Sequence, residues 1–92
     1  MMMYPYITLA DETLITYSHT EEENGVNIVD VHFERPIYGG FDSARCRLPS
    51  YEWIMRDGYS DAEILIFEKI LKDSDEFIRK YSEKSEIIFG YK

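Results

Sequence analysis

The sequence predicts an α+β fold: a small antiparallel β-sheet of three to four strands in a meander, followed by a short helical turn and one long amphipathic C-terminal helix packed on one face. Three observations carry this expectation. The first half alternates apolar and polar residues between turn signals, the period of a half-buried strand. The last third carries apolar residues at steps of three and four, the period of a helix. The two patterns follow one another rather than interleave, which is the order of an α+β fold. Ninety-two residues make a single domain, without repeats, low-complexity segments or a linker.

The predicted sheet occupies residues 4–48. Residues 4–9 are a short run of β formers, and Asp11 and Glu12 mark a turn. Residues 14–20 alternate, with Ile15, Tyr17 and His19 on one face and Thr16 and Ser18 on the other. Glu23, Asn24 and Gly25 form a hairpin turn. In residues 26–34, Val29, Val31 and Phe33 face inward while Ile28, Asp30, His32 and Glu34 face outward. A three-residue loop would pair Glu22 with Val26, setting Ile15 opposite Phe33, Tyr17 opposite Val31 and His19 opposite Val29. A two-residue loop would mix polar and apolar side chains on each face, so the three-residue loop is expected. Arg35 and Pro36 end that strand. Tyr38, Gly39 and Gly40 read as a flexible loop before a strand over 41–48, with Ala44, Cys46 and Leu48 inward and Ser43, Arg45 and Arg47 outward.

Pro49 and Ser50 open a predicted short helix over 50–57, stopped by Asp57 and Gly58. Ser60 and Glu63 fit a capping box, with Tyr59 and Ile64 placed as its hydrophobic staple. The helix predicted over 60–84 carries Ile64, Phe67, Leu71, Ile78 and Tyr81 on one stripe, widened by Ile70 and Phe77. Asp73 followed by Glu76 also fits the start of a second helix, but a single helix is favoured. Residues 86–92 are an apolar tail in which Ile87, Ile88 and Phe89 read as a strand seeking a sheet edge.

Composition excludes several classes. The net charge is −8, and the first 33 residues hold six acids and no Lys or Arg. Such a chain is repelled by phosphate backbones, so no direct nucleic-acid binding is expected. No apolar run approaches the roughly 20 residues that span a bilayer, so no membrane partner is expected. With one cysteine, an intramolecular disulfide and a Cys-based zinc site are both excluded. The start of the sequence lacks a basic n-region, and a reducing, cytoplasmic setting is expected.

Two sets of candidate residues follow. Asp30, His32 and Glu34 point outward from one strand, and Arg45 and Arg47 point outward from another that is expected beside it. An acid, an imidazole and guanidiniums on one face read first as cross-strand ion pairing on a solvated face; the alternative is a site for an anionic ligand or acid–base chemistry. No metal is assigned there, because the arginines would oppose a cation, and no cofactor is expected. Cys46 alternates with Ala44 and Leu48 as a buried small hydrophobe. The second set is an interface. It comprises the acidic hairpin residues Glu21, Glu22 and Glu23, the anchor candidate Trp53 (otherwise the plug joining sheet to helix), and Ile87, Ile88, Phe89 and Tyr91 of the tail.

The leading expectation is a small acidic cytoplasmic protein acting as a non-enzymatic interaction or regulatory module. Its partner is a protein, with a basic one favoured by charge, and a homodimer is expected through the tail, the helix face or a sheet edge. In shape and charge alone, with no shared motif, the layout resembles small bacterial antitoxin and immunity proteins. The alternative is a small-ligand-binding protein or enzyme using the outer-face cluster.

Overall fold

The computed structural model describes residues 2–85. It places six antiparallel strands before one helix: β1 (Met3–Thr8), β2 (Leu14–Ser18), β3 (Glu21–Glu23), β4 (Val26–Ile37), β5 (Gly40–Leu48), β6 (Glu52–Asp57) and α1 (Asp61–Ser85). The order across the sheet is β1-β2-β4-β5-β6, with β3 also pairing to β4. The α+β class and the sequential path hold, but three to four strands is an undercount.

One extra strand comes from a register shift. Ile15 opposes Phe33 and Tyr17 opposes Val31, as the hydrophobic pattern requires. The hairpin beyond them is closed by two residues, not three: Glu23 pairs with Val26, while Asn24 and Gly25 take φ of 53° and 79°. Positive φ at both central residues matches the twist of the flanking strands. The two registers differ by one residue. His19 and Thr20, which lie in neither strand, absorb the difference. His19 therefore does not oppose Val29; its Nε2 lies 3.3 Å from Glu21.

The other extra strand replaces the short helix expected over 50–57. The Tyr51 N–H donates to the Arg47 carbonyl at 2.7 Å, and Tyr51 takes a φ of 62°. The chain thus turns back and runs as β6 along β5, pairing Trp53 with Cys46 and Met55 with Arg45. Ile54 is the extra residue of a bulge between those pairs. A bulge breaks the period-two pattern that announces a strand, which is why these residues read otherwise.

The core lies between one sheet face and α1. Tyr4, Ile15, Tyr17, Val29, Val31, Phe33, Ala44, Cys46 and Leu48 meet Ile64, Phe67, Leu71 and Ile78 of the helix, with Tyr59 just before it. Phe33 stacks on Phe67 at 4.3 Å between ring centroids, and Tyr59 meets Phe67 edge-on at 4.8 Å. The capping box forms as predicted. The Ser60 N–H donates to Glu63 Oε1 at 2.9 Å, and the Glu63 N–H donates to Ser60 Oγ at 3.2 Å. The helix runs unbroken through Asp73. Its far end is tied to the sheet by Ser82, which donates to the Ser18 carbonyl at 2.8 Å. Among the described residues, no helix is long and apolar enough to cross a membrane. The predicted apolar tail, 86–92, lies outside them.

Candidate functional site

The outer sheet face gathers all five candidate ligand-binding residues. Cross-strand register sets Asp30 opposite Arg47, His32 opposite Arg45 and Glu34 opposite Ser43. Asp30 and Arg47 form a two-point pair. Arg47 Nε donates to Oδ1 at 2.8 Å and Nη2 to Oδ2 at 3.2 Å. Asp30 is buried, and its own N–H donates to Ser18 Oγ at 3.0 Å. This carboxylate is occupied by its neighbours.

His32 is half-buried. Desolvation, then the Arg45 charge, pushes its pKa below the ordinary value, against the opposing pull of Glu34. It is therefore neutral at pH 7. Beyond its ladder pairing with His32 and Met55, Arg45 makes no side-chain hydrogen bond or ion pair among the described residues. The face thus offers one unclaimed guanidinium beside a neutral imidazole. A cavity of about 290 Å³ lies elsewhere, and none of the five lines it. Among the described residues, no group of three or more His, Cys, Asp or Glu side chains could hold a metal ion. Cys46 is fully buried, and burial pushes its thiol up to about 12, so it is not a thiolate at neutral pH.

The interface candidates are dispersed. Glu21, Glu22 and Glu23 form exposed β3, with Glu23 3.6 Å from Arg47. Trp53 donates from Nε1 to Glu68 Oε2 at 2.8 Å and packs 5.7 Å from the Phe33 ring, linking β6 to α1 and the core. Ile87, Ile88, Phe89 and Tyr91 lie outside the described residues.

A further feature emerges at the β4–β5 turn. The last β2 partner of β4 is Leu14, opposite Glu34, and the last β6 partner of β5 is Asp57, opposite Ser43. Beyond these, the pairs Arg35–Asp42, Pro36–Phe41 and Ile37–Gly40 have no strand on either side among the described residues. They make a finger about 10 Å long at roughly 3.4 Å per pair. Gly39 turns its tip with φ of 83°. Ile37 is 48% exposed, Phe41 57%, and Tyr38 fully exposed.

Arg35 fixes the root of this finger. Its Nη2 donates to Asp42 Oδ2 at 2.6 Å, and its Nη1 to Glu63 Oε2 at 2.7 Å and Asp11 Oδ2 at 2.9 Å. Its guanidinium lies 4.7 Å from the centroid of the Tyr59 ring. One side chain so joins the finger, the β1–β2 turn and the first turn of α1. The sequence signal for the finger was present in Ile37, Tyr38 and Phe41 flanking two glycines, but a loop reading masks it.

No protein-family model matches the chain, and neither a curated protein nor a solved structure matches it.

Proposed function

We propose that this chain is a non-enzymatic, cytoplasmic protein-interaction module that presents the β4–β5 finger to a protein partner. The observation that carries this reading is the exposure of Ile37, Tyr38 and Phe41 at the end of a hairpin that projects past its neighbours. Aromatic side chains supply large contact area for few rotatable bonds, and they are enriched among the residues that dominate binding energy. The Arg35 network holds the hairpin root before any partner arrives, which lowers the ordering cost of association. A net charge of −8 favours encounter with a basic partner.

The test places a photo-crosslinking residue at position 38 in cells. A discrete crosslinked product that disappears with Phe41→Ser supports the reading. Crosslinking no stronger than from an exposed site on β3 overturns it. A second reading rests on the unclaimed Arg45 beside neutral His32: a small anionic ligand on the outer sheet face. Titration with inorganic phosphate, followed by NMR shifts at Arg45 and His32, separates the two.

A further inference from the structure

The two flanks of α1 differ in character. One flank is polar and engaged by the sheet: Glu68 accepts from Trp53, Asp75 accepts from Tyr51 at 2.8 Å, and Asp61 pairs with Arg56. The other carries Ile66, Ile70, Phe77 and Tyr81. At 100° per residue these four fall within about 60° of one another. Ile66 and Phe77 are each 57% exposed and Tyr81 42%, while Ile70 is partly buried against the core. Tyr81 lies 6.4 Å from Tyr6 of β1 and 6.5 Å from Phe77, so the stripe is continuous with the β1 side of the sheet. Among the described residues nothing covers it.

The spacing of the stripe says what fits it. The steps are four, seven and four, so the stripe reads the same in both directions about the midpoint between Asp73 and Ser74. A second copy laid antiparallel on the first would set Ile66 against Tyr81 and Ile70 against Phe77. Each contact then occurs twice, as a two-fold interface requires. The same symmetry brings Glu63 of one copy, whose carboxylate already accepts from Arg35 and Ser60, level with Lys84 of the other at both ends. A parallel arrangement would instead set Glu63 against Glu63. From Ile66 to Tyr81 the contact line is about 22 Å, at 1.5 Å per residue.

We infer that α1 is a homodimerisation surface, with a second copy of this chain packed antiparallel on Ile66, Ile70, Phe77 and Tyr81. This does not depend on the reading of the finger at the β4–β5 turn.

Sedimentation equilibrium of the full chain tests it, together with Ile66→Lys and Tyr81→Glu, each checked for an unchanged far-UV spectrum. The expected result is a wild-type dimer, two variants that are each monomeric, and restored dimer when the variants are mixed, since the new lysine faces the new glutamate. Phe77→Ser, which adds no charge, should weaken the dimer at least tenfold and serves if either charged variant fails to fold. A wild-type chain that stays monomeric at submillimolar concentration overturns the proposal. So does a dimer that none of the substitutions affects, or variants that remain monomers on mixing. A monomer whose Phe77 becomes accessible only when residues 86–92 are removed would assign the stripe to the chain's own C-terminal segment instead.

Discussion

Arg35 is the side chain on which most depends. It is 19% exposed and holds Asp42, Glu63 and Asp11, of which Asp42 is itself only 11% exposed. Replacing Arg35 with methionine keeps the stem and deletes the charge, leaving a nearly buried carboxylate without its cation. The expected loss is about 2–3 kcal/mol in urea unfolding at pH 7. The acid limb of the stability curve should change too. Hydrogen bonding from Arg35 leads the causes that lower the Glu63 pKa, and the Thr13 N–H leads those that lower Asp11, with Arg35 adding to it. Carboxylates with depressed folded-state values stabilise the fold above their ordinary range, and that contribution disappears as pH falls through the lowered values. Arg35→Met should therefore flatten the fall in melting temperature between pH 5 and pH 2, in the pH range those lowered carboxylates occupy.

His32 acts in a higher window. Its folded-state pKa lies below the unfolded value, so the folded state binds protons less readily. Stability contributed by keeping it neutral is present above about pH 6.5 and is lost as pH drops through the folded value. His32→Gln should remove this part of the slope. A melting temperature that tracks the wild type between pH 7 and pH 5 would show that His32 does not set it.

At the scale of elements, the β6–α1 junction is the most constrained. Gly58 takes φ of 98°, and a Cβ there would stand 2.0 Å from Asp42 Oδ1. Both the left-handed backbone and the close approach exclude larger residues. Gly58→Ala should cost about 1–3 kcal/mol from the backbone alone. It should also disturb Asp42, read as a melting shift at constant denaturant slope.

The elements differ in how far the sequence discloses them. Ser60 and Glu63 announced the start of α1 because a capping box depends on residues three apart. Val29, Val31 and Phe33 announced the buried face of β4 because their spacing is local and unbroken. Ile54 did the reverse: one bulged residue disguised β6 as a helical turn. The hairpin at Asn24 and Gly25 was hidden likewise, because the shift that reconciles it with the core sits at His19 and Thr20, several residues away. The cluster at Asp30, His32, Glu34, Arg45 and Arg47 was legible as a shared face. That Asp30 is buried and claimed by Arg47 while Arg45 is left unclaimed depends on which residues stand opposite across β4 and β5. The role of Arg35 was not legible, since its partners Asp11 and Glu63 lie 24 and 28 residues away.

For the whole molecule, one packed face and one open face divide the labour. The α1 side of the sheet holds the core. The outer face, largely polar, is the solvated side that an antiparallel sheet tolerates. Exposed apolar groups include those of the β4–β5 finger and of the flank of α1, besides single residues such as Leu14 and Met55 on the outer face and Leu65 on the helix. The finger and the flank are both separate from the acidic β3 hairpin, so under the proposed interaction reading charge would guide encounter while apolar contact would supply affinity.

The most direct measurement of the interaction reading is native mass spectrometry of the protein released gently from its own cells, comparing wild type with the Tyr38→Ser, Phe41→Ser double variant. The account predicts a stoichiometric second polypeptide on the wild type, absent from a double variant of unchanged melting temperature. Retention of that polypeptide by the double variant, or a wild-type chain found only alone or with copies of itself, would contradict it.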